Sequence, residues 1–144
     1  MKAALAGGDQ RAAMQTTVTL FSPAPGGAEE AAGKFVQIAD DSNDRVYLVF
    51  APKSLCTYHA HIAERFFASR GIRGRFNSRM DRYEVAHPSW RIVGGGHWSM
   101  DRTTGRIELA GRSMVYGPFE RTGVAAALEA SDAFFGMSAS VLPG

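Results

Sequence analysis

The pattern of apolar and polar positions predicts a β-sheet in the first half of the chain. Strands are expected at residues 16–21, 35–38 and 45–50, where β-branched and aromatic residues cluster. The third of these strands is apolar on both faces after Arg45, which favours an interior position covered on two sides. The polar run Asp40–Asp44 predicts the turn that joins the second and third strands.

Two later segments show helical spacing instead. Residues 57–70 predict a first helix that Gly71 or Gly74 can end, and the Ala-rich residues 119–135 predict a second helix that ends at Gly136. The positions expected to face inward are Ile62, Ala63, Phe66 and Phe67 in the first helix, and Val124, Ala125 and Leu128 in the second.

The remaining segments predict loops and short strands. Residues 22–33 contain two prolines and several glycines, and they predict a loop with a short helical turn near Glu29. Further strands are expected at residues 83–85, 90–93, 97–100, 106–110 and 137–142, with residues 101–105 as the turn of a hairpin. The expected fold class is α/β (α+β), a single mixed β-sheet flanked by two main helices. Residues 1–13 are expected to be a flexible tail and residues 14–144 a single domain.

Composition narrows the class of protein without naming a function. The 144 residues suit one domain, and 45% hydrophobic with 21% charged residues is ordinary for a globular chain. The net charge of +2 is too small to imply nucleic acid by itself. Cys56 is the only cysteine, which rules out an intramolecular disulfide and fits a reducing compartment. No apolar run approaches the ~20 residues of a membrane span, and Gly7–Gln10 interrupts any signal peptide. A cytoplasmic monomer is expected.

His59 is the strongest candidate for chemistry. It falls at the start of the first predicted helix, where backbone N–H groups lack partners and the helix dipole is positive. That field disfavours imidazolium, so the pKa of His59 is expected to be lowered and the ring to be neutral near pH 7. A neutral imidazole can act as a general base or as a nucleophile. The alternative interpretation is a histidine that caps or packs at a helix end.

Two glycine-containing segments are candidates for binding an anion. Gly94–Gly96 follows a strand, and three glycines indicate either a positive φ or a close approach of backbone to a ligand. A β-bulge or tight loop is the alternative. The hydroxyl of Ser113 and the amides of Met114 and Val115 could line an anion-binding concavity before Pro118, which is expected in a first helical turn. An ordinary strand-to-helix connection is the alternative there.

Arg45, the histidines and the cysteine complete the candidates. Arg45 opens a buried strand and could clamp phosphate oxygens, unless it is simply an exposed strand end. The four histidines predict no metal site, because His59 and His61 point to different helix faces and no cysteine or acid clusters with them. Cys56 is interpreted as a buried structural thiol.

These motifs, in this order, resemble the Janus family of phosphohistidine phosphatases. Val36–Leu48 looks like the first hairpin of the family and places Arg45 where the family has a phosphate-binding lysine. Tyr58-His59-Ala60 is similar to a Tyr-His-Ala segment whose histidine is catalytic, and Gly94–Gly96 is similar to the triple glycine. Ser113–Pro118 resembles Ser-Met-Ala-Tyr-Gly-Pro, where the serine and the residue two later contact phosphate. The family usually has an arginine at the position of His97. The chain also has a shorter loop between residues 50 and 59 and a longer segment from 70 to 90.

The resemblance implies a phosphohistidine phosphatase-like fold and metal-independent hydrolysis of the P–N bond in protein phosphohistidine. His59 would be the general base or the nucleophile, inorganic phosphate the product, and no cofactor is expected. The expected substrate-binding residues are Arg45, Ala60, Gly95, Gly96, His97, Ser113, Met114 and Val115.

Two alternatives belong to other classes of function. The fold could bind phosphate or a phosphopeptide without turnover, since the loss of the family arginine would weaken chemistry more than binding. The arginine-rich segment from Arg65 to Arg91 could instead bind RNA or another polyanion, with Tyr83, Trp90 and Trp98 as stacking surfaces. A solvated arginine face explains the same residues, so nucleic acid is the less favoured partner.

Overall fold

The structure is a computed structural model that describes residues 15–21 and 30–143. The predicted tail at residues 1–13 and the predicted helical turn near Glu29 lie outside these residues. The described elements are β1 (Thr16–Leu20), β2 (Glu30–Asp40), β3 (Arg45–Pro52), α1 (His59–Ser69), β4 (Gly74–Phe76), β5 (Tyr83–Val85), β6 (Trp90–Asp101), β7 (Arg106–Ala110), α2 (Val124–Ala130) and β8 (Ser138–Val141).

Six of these strands form one mixed sheet in the order β1-β3-β2-β6-β7-β8. The two outer pairs, β1 with β3 and β7 with β8, are parallel, and the inner pairs are antiparallel. Strands β4 and β5 form a separate two-stranded hairpin. The predicted α+β class, a mixed sheet with two helices, is confirmed for the described residues.

The sheet carries a hydrophobic core on each face, because neighbouring residues of its strands point in opposite directions. Phe35 and Phe50 belong to the core on one face, whereas Val36 and Val49 belong to the core on the other. The predicted interior position of β3 is therefore confirmed. Helix α2 packs into the first core, and α1 packs into the second through the predicted stripe of Ile62, Ala63, Phe66 and Phe67, all of them buried.

Three elements differ from the prediction. The strands predicted at residues 90–93 and 97–100 form one strand, β6 (Trp90–Asp101), which runs through Gly94–Gly96. Strand β2 already begins at Glu30, so the predicted loop at residues 22–33 is wrong for residues 30–33. The predicted second helix shortens from residues 119–135 to Val124–Ala130, and Pro118 is not in its first turn.

A contact across the fold explains the late start of α2. The side chain of Gln37 donates from Nε2 to the carbonyl of Glu120 at 3.0 Å and accepts from the amide of Glu120 at 2.7 Å. This pair of bonds holds the chain to the sheet just before the helix. Gly123 then adopts a left-handed conformation with φ 76° at the helix N-terminus. Local helix propensity is overridden by a partner 83 residues away.

Candidate active site

His59 is the first residue of α1, as predicted, and its side chain is buried, with 7% exposed. Its Nε2 lies 2.9 Å from the carbonyl oxygen of Gly96 in β6. A carbonyl oxygen can only accept a hydrogen bond, so Nε2 carries the hydrogen and donates it. In the neutral ring the lone pair then lies on Nδ1. The fold thus selects one tautomer and one orientation for this imidazole.

Within the triple glycine, Gly95 makes room for this ring, and none of the three residues adopts a left-handed backbone. A Cβ on Gly95 would lie 2.9 Å from Cδ2 of His59 and 2.5 Å from the carbonyl oxygen of Phe35. A Cβ on Gly94 would lie 1.9 Å from the carbonyl oxygen of Pro118. Positive φ angles occur at other glycines and not at residues 94–96. The Cδ2–Nε2 edge of the imidazole therefore packs on β6, and the Nδ1 edge is turned away from the strand.

Burial lowers the pKa of His59 from its ordinary 6.5 to about 4. The hydrogen bond to Gly96 opposes this shift, while the positive charge of Lys34, and that of His97 when it is protonated, add to it. The predicted direction is confirmed, but the main cause is desolvation of the ring rather than the helix N-terminus. The ring is neutral at pH 7, which is the form required of a base or a nucleophile.

An NMR titration of the four histidines tests this state of His59. We expect its ring to stay neutral from pH 8 to about pH 5 and to protonate near pH 4, with the hydrogen on Nε2 while it is neutral. Because the folded pKa is below the ordinary value, the unfolded chain binds the proton first as the pH falls. The contribution of the neutral His59 ring to the free energy of unfolding is complete above pH 6.5. It is lost as the pH falls toward 4, a loss of roughly 3 kcal/mol. A His59 resonance that titrates near pH 6.5 would contradict the assignment.

Ser113 anchors a loop beside the glycine strand. Its side chain is fully buried, and its Oγ accepts hydrogen bonds from the amides of Val115 at 3.2 Å and Tyr116 at 3.0 Å. Its own amide donates to the carbonyls of Gly95 at 3.0 Å and Gly117 at 3.1 Å. The loop from Ser113 to Gly117 is therefore joined directly to β6. Ser113 positions the backbone around the site, and its predicted contact with phosphate stays a prediction.

A cavity of about 270 Å³ lies where α1, β2, β6 and this loop meet. Lys34 pairs with His97 across β2 and β6, and the two rings of His59 and His97 are 5.6 Å apart in an edge contact. Lys34 Nζ also donates to the carbonyl of Thr57 at 2.8 Å, just before α1. The described residues that line this cavity are Lys34, Tyr58, His59, Asp81, His97, Arg112, Met114 and Val115.

The cavity combines cationic side chains with a neutral, oriented imidazole. Lys34 and Arg112 are suited to holding an anion, and Arg112 lies on the loop that precedes Ser113. Sequence reasoning missed Lys34 as a site residue and left Arg112 unassigned. The sequence does contain a sign of the position of Lys34. Lys34 directly precedes Phe35, a buried residue of the predicted strand, so its side chain points to the opposite face of the sheet.

The predicted site residues are only partly brought together. Met114 and Val115 line the cavity with His59 and His97, although the Met114 side chain is 96% exposed. Ala60 lies beside His59 in the first turn of α1, and Gly95 and Gly96 contact the His59 ring through backbone. These three residues surround the His59 ring but do not line the cavity, and their role in binding stays a prediction.

Arg45 is the exception. It pairs with Asp40 at the opposite end of the β2–β3 hairpin, whereas Phe35, which pairs with Gly96, is opposite Phe50. Arg45 lies five residues before Phe50 in β3, which is a distance of roughly 16 Å along the strand. The structure does not bring Arg45 to the His59 cavity.

Two of the three rings proposed as stacking surfaces for nucleic acid are buried. Tyr83 and Trp98 are 5% and 3% exposed, and the Trp98 indole donates to the carbonyls of Lys34 and Ala51, both at 3.1 Å. Trp90 packs in the core beneath α1, where Arg70 covers its ring. The prediction that Tyr83 and Trp98 offer stacking surfaces is wrong, because both rings are buried in the fold. For the partly buried Trp90 it stays a prediction.

Other features of the described residues add little chemistry. Cys56 is buried, and burial raises the pKa of its thiol. Across residues 15–21 and 30–143, no three His, Cys, Asp or Glu side chains gather in a way that could hold a metal ion. In the same part of the chain, no helix is long and apolar enough to cross a membrane. A larger cavity of about 460 Å³ lies beside the β6–β7 turn, and no histidine is among its described lining residues.

The sequence matches no family model, and no curated protein is significantly similar to it. The likeness to the Janus family rests on the motifs around His59, Gly95 and Ser113.

Proposed function

We propose that the protein is a metal-independent phosphatase that hydrolyses the P–N bond of protein phosphohistidine. The observation that carries the proposal is the state of His59, a buried and neutral imidazole whose Nε2–H is held by the Gly96 carbonyl. It lines a cavity that also contains Lys34 and Arg112. The resemblance of the surrounding motifs to the Janus family supports the same activity. A cytoplasmic location and a monomeric state are part of the same proposal.

The mechanism assigned to these residues is positioning plus electrostatic stabilisation. Lys34, Arg112 and the backbone N–H groups at the start of α1 would hold the phosphoryl oxygens. Nδ1 of His59 either removes a proton from the attacking water or accepts the phosphoryl group itself. Both routes need the same tautomer, with the lone pair on Nδ1 and the hydrogen on Nε2. Gly96 acts as a positioning residue through its carbonyl.

The size of the cavity supports a single phosphorylated side chain as the ligand. Its volume of about 270 Å³ lies below the ~300 Å³ at which pockets for drug-sized molecules begin. The exposed Met114 and the half-exposed Tyr58 at its lining can contact the polypeptide that carries the phosphoryl group. A protein substrate fits this arrangement better than a nucleotide.

A phosphate-binding module without turnover is the second candidate. This candidate is favoured by His97, which lines the cavity at the position where the Janus family has an arginine. An uncharged imidazole stabilises developing negative charge on a phosphoryl group less well than a guanidinium does. Burial and the nearby Lys34 both lower the pKa of His97, which favours this uncharged form.

Phosphate release by the native protein separates the two candidates. A phosphohistidine peptide is incubated with the protein in the presence of a metal chelator, and a phosphotyrosine peptide of otherwise equal sequence serves as the comparison. We expect catalysed release from the phosphohistidine peptide, unaffected by the chelator. Binding of the peptide without release would assign the protein to the second candidate. Release that the chelator abolishes would overturn the metal-independent mechanism.

A further inference from the structure

The segment from residue 70 to 90, which is longer here than in the Janus family, forms an arm that reaches the His59 cavity. The arm is the β4–β5 hairpin with its turn at residues 77–82. Tyr116 joins it to the Ser113–Gly117 loop, since its hydroxyl accepts from the amide of Tyr83 and donates to the carbonyl of Tyr83, both at 2.7 Å. Arg82 donates to the carbonyl of Val115 at 2.7 Å and covers the Tyr116 ring. The arm is thereby fixed to the loop that lines the site.

The arm presents one carboxylate, Asp81, to the cavity. Its turn is held internally: Nδ2 of Asn77 donates to Oδ1 of Asp81 at 2.6 Å, and Oδ1 of Asn77 accepts from the amide of Asp81 at 3.1 Å. Among the described residues, no ion pair joins Asp81 to Lys34 or Arg112. The carboxylate is therefore placed by the arm and not by the cations that share the cavity.

An acidic side chain in an anion-binding cavity requires an explanation. A carboxylate repels a phosphoryl group, so a cavity built for phosphate alone gains nothing from it. A substrate with a cationic N–H next to its phosphoryl group would be recognised by both charges at once. Phosphohistidine has this pairing when the ring nitrogen that does not carry phosphorus is protonated, and a phosphotyrosine ester lacks it.

We propose that Asp81 is a specificity-determining residue that accepts a hydrogen bond from the second ring nitrogen of the bound phosphohistidine. This inference rests on the proposed function, and it assigns the choice of a phosphoramidate over a phosphate ester to the arm. Asn77 positions the carboxylate, and Arg82 and Tyr83 hold the turn against the loop.

The assignment also accounts for the leaving group. In the bound substrate the second ring nitrogen carries a hydrogen and donates a hydrogen bond to Asp81, while the hydrogen itself stays on the nitrogen. Phosphorus forms a bond to the attacking atom, the P–N bond breaks, and its electron pair stays on the first ring nitrogen. The ring then departs as neutral imidazole, with its hydrogen already on the second nitrogen. No separate acid has to protonate the leaving group.

The proposal predicts uptake of a proton when phosphohistidine binds at pH 8. An imidazole ring with an ordinary pKa of about 6.5 is mostly unprotonated at that pH, and a nearby carboxylate raises its pKa. The other charged or titratable side chains that line the cavity are Lys34, His59, His97 and Arg112. The positive charges of Lys34 and Arg112 disfavour an added positive charge on the substrate ring, so the rise in the pKa of that ring has to come from Asp81.

Calorimetric binding tests the proposal apart from turnover. The phosphohistidine and phosphotyrosine peptides are titrated at pH 8, in buffers of different ionisation enthalpy, into His59→Ala and into the same variant with Asp81→Asn. We expect Asp81→Asn to weaken phosphohistidine binding by roughly ten-fold or more, to abolish proton uptake, and to leave phosphotyrosine binding unchanged or tighter. Asp132→Asn is the matched control, because Asp132 is an exposed carboxylate outside the cavity.

Each outcome has one interpretation. Equal weakening of both peptides, or proton uptake that persists in Asp81→Asn, would overturn the role of Asp81. Tighter binding of both peptides would show that the carboxylate only opposes phosphate, which also overturns it. If the native protein releases no phosphate but Asp81→Asn selectively weakens phosphohistidine binding, the proposed catalysis fails and the recognition stands. Binding of neither peptide would overturn both.

Discussion

The His59→Ala protein is expected to release phosphate from a phosphohistidine peptide about 100- to 10,000-fold more slowly than the native protein, the range typical of a lost general base. His59 is the neutral imidazole that Gly96 orients, and burial lowers its pKa to about 4. Alanine removes the Nδ1 lone pair and leaves the cationic lining intact. Steady-state phosphate release, measured at pH 7.5 with peptide concentration varied, gives kcat and KM separately. We expect the loss in kcat, with KM nearly unchanged.

Two controls make this result specific. His87→Ala removes an exposed histidine whose Nδ1 accepts a hydrogen bond from the amide of Ser89, and it should leave phosphate release within about two-fold, as expected for an exposed position. Added imidazole should restore part of the activity of His59→Ala, because it can enter the space that the ring vacates. Full activity in His59→Ala would mean that another residue carries the reaction.

Gly95→Ala is expected to damage both stability and catalysis. The added Cβ would lie 2.5 Å from the carbonyl oxygen of Phe35 and 2.9 Å from Cδ2 of His59, closer than Cβ atoms tolerate. Relief of this overlap requires strand β6 to shift or the imidazole to leave the Gly96 carbonyl. We expect a loss of about 1–3 kcal/mol in the free energy of unfolding. A displaced imidazole should also lower phosphate release by about 100-fold, the usual effect of a 1 Å misplacement.

Gly71→Ala is the matched control for Gly95→Ala. Gly71 has φ 69° and no atom within 4 Å of an added Cβ, so alanine there costs about 1–2 kcal/mol through backbone strain alone. Urea unfolding and phosphate release are measured on both variants. The stability losses should be comparable, whereas only Gly95→Ala should lose activity. Equal activity in the two variants would show that the glycine does not position the His59 ring.

The elements predicted most accurately are those whose signal is local. The apolar runs of the β2–β3 hairpin, the buried stripe of α1 and the β6–β7 turn depend on neighbours a few residues apart, and the structure contains all three. The second helix is the counterexample. Its Ala-rich sequence favours residues 119–135, but Gln37 binds both backbone groups of Glu120 and delays the helix to Val124.

The pKa of His59 shows the same division between sequence and structure. Its position at a helix start predicts the direction of the shift, because position along a helix is a local property. The larger cause is burial, which depends on how β6 and the Ser113–Gly117 loop enclose the ring. The glycines of β6 likewise suggest a close approach, yet the group that approaches is the imidazole of the protein itself.

Residue type and spacing along the chain were enough to predict the mixed α+β sheet, the histidine at the start of α1, and the glycine and serine segments around it. Which charges share the site depends instead on how distant segments pack together. Pairing of β2 with β6 brings Lys34 beside His97, while the same hairpin carries Arg45 to its opposite end. The arm docked on Tyr116 brings Asp81 to the cavity. Strand register and long-range docking place residues that are distant in sequence, and no local pattern specifies either of them.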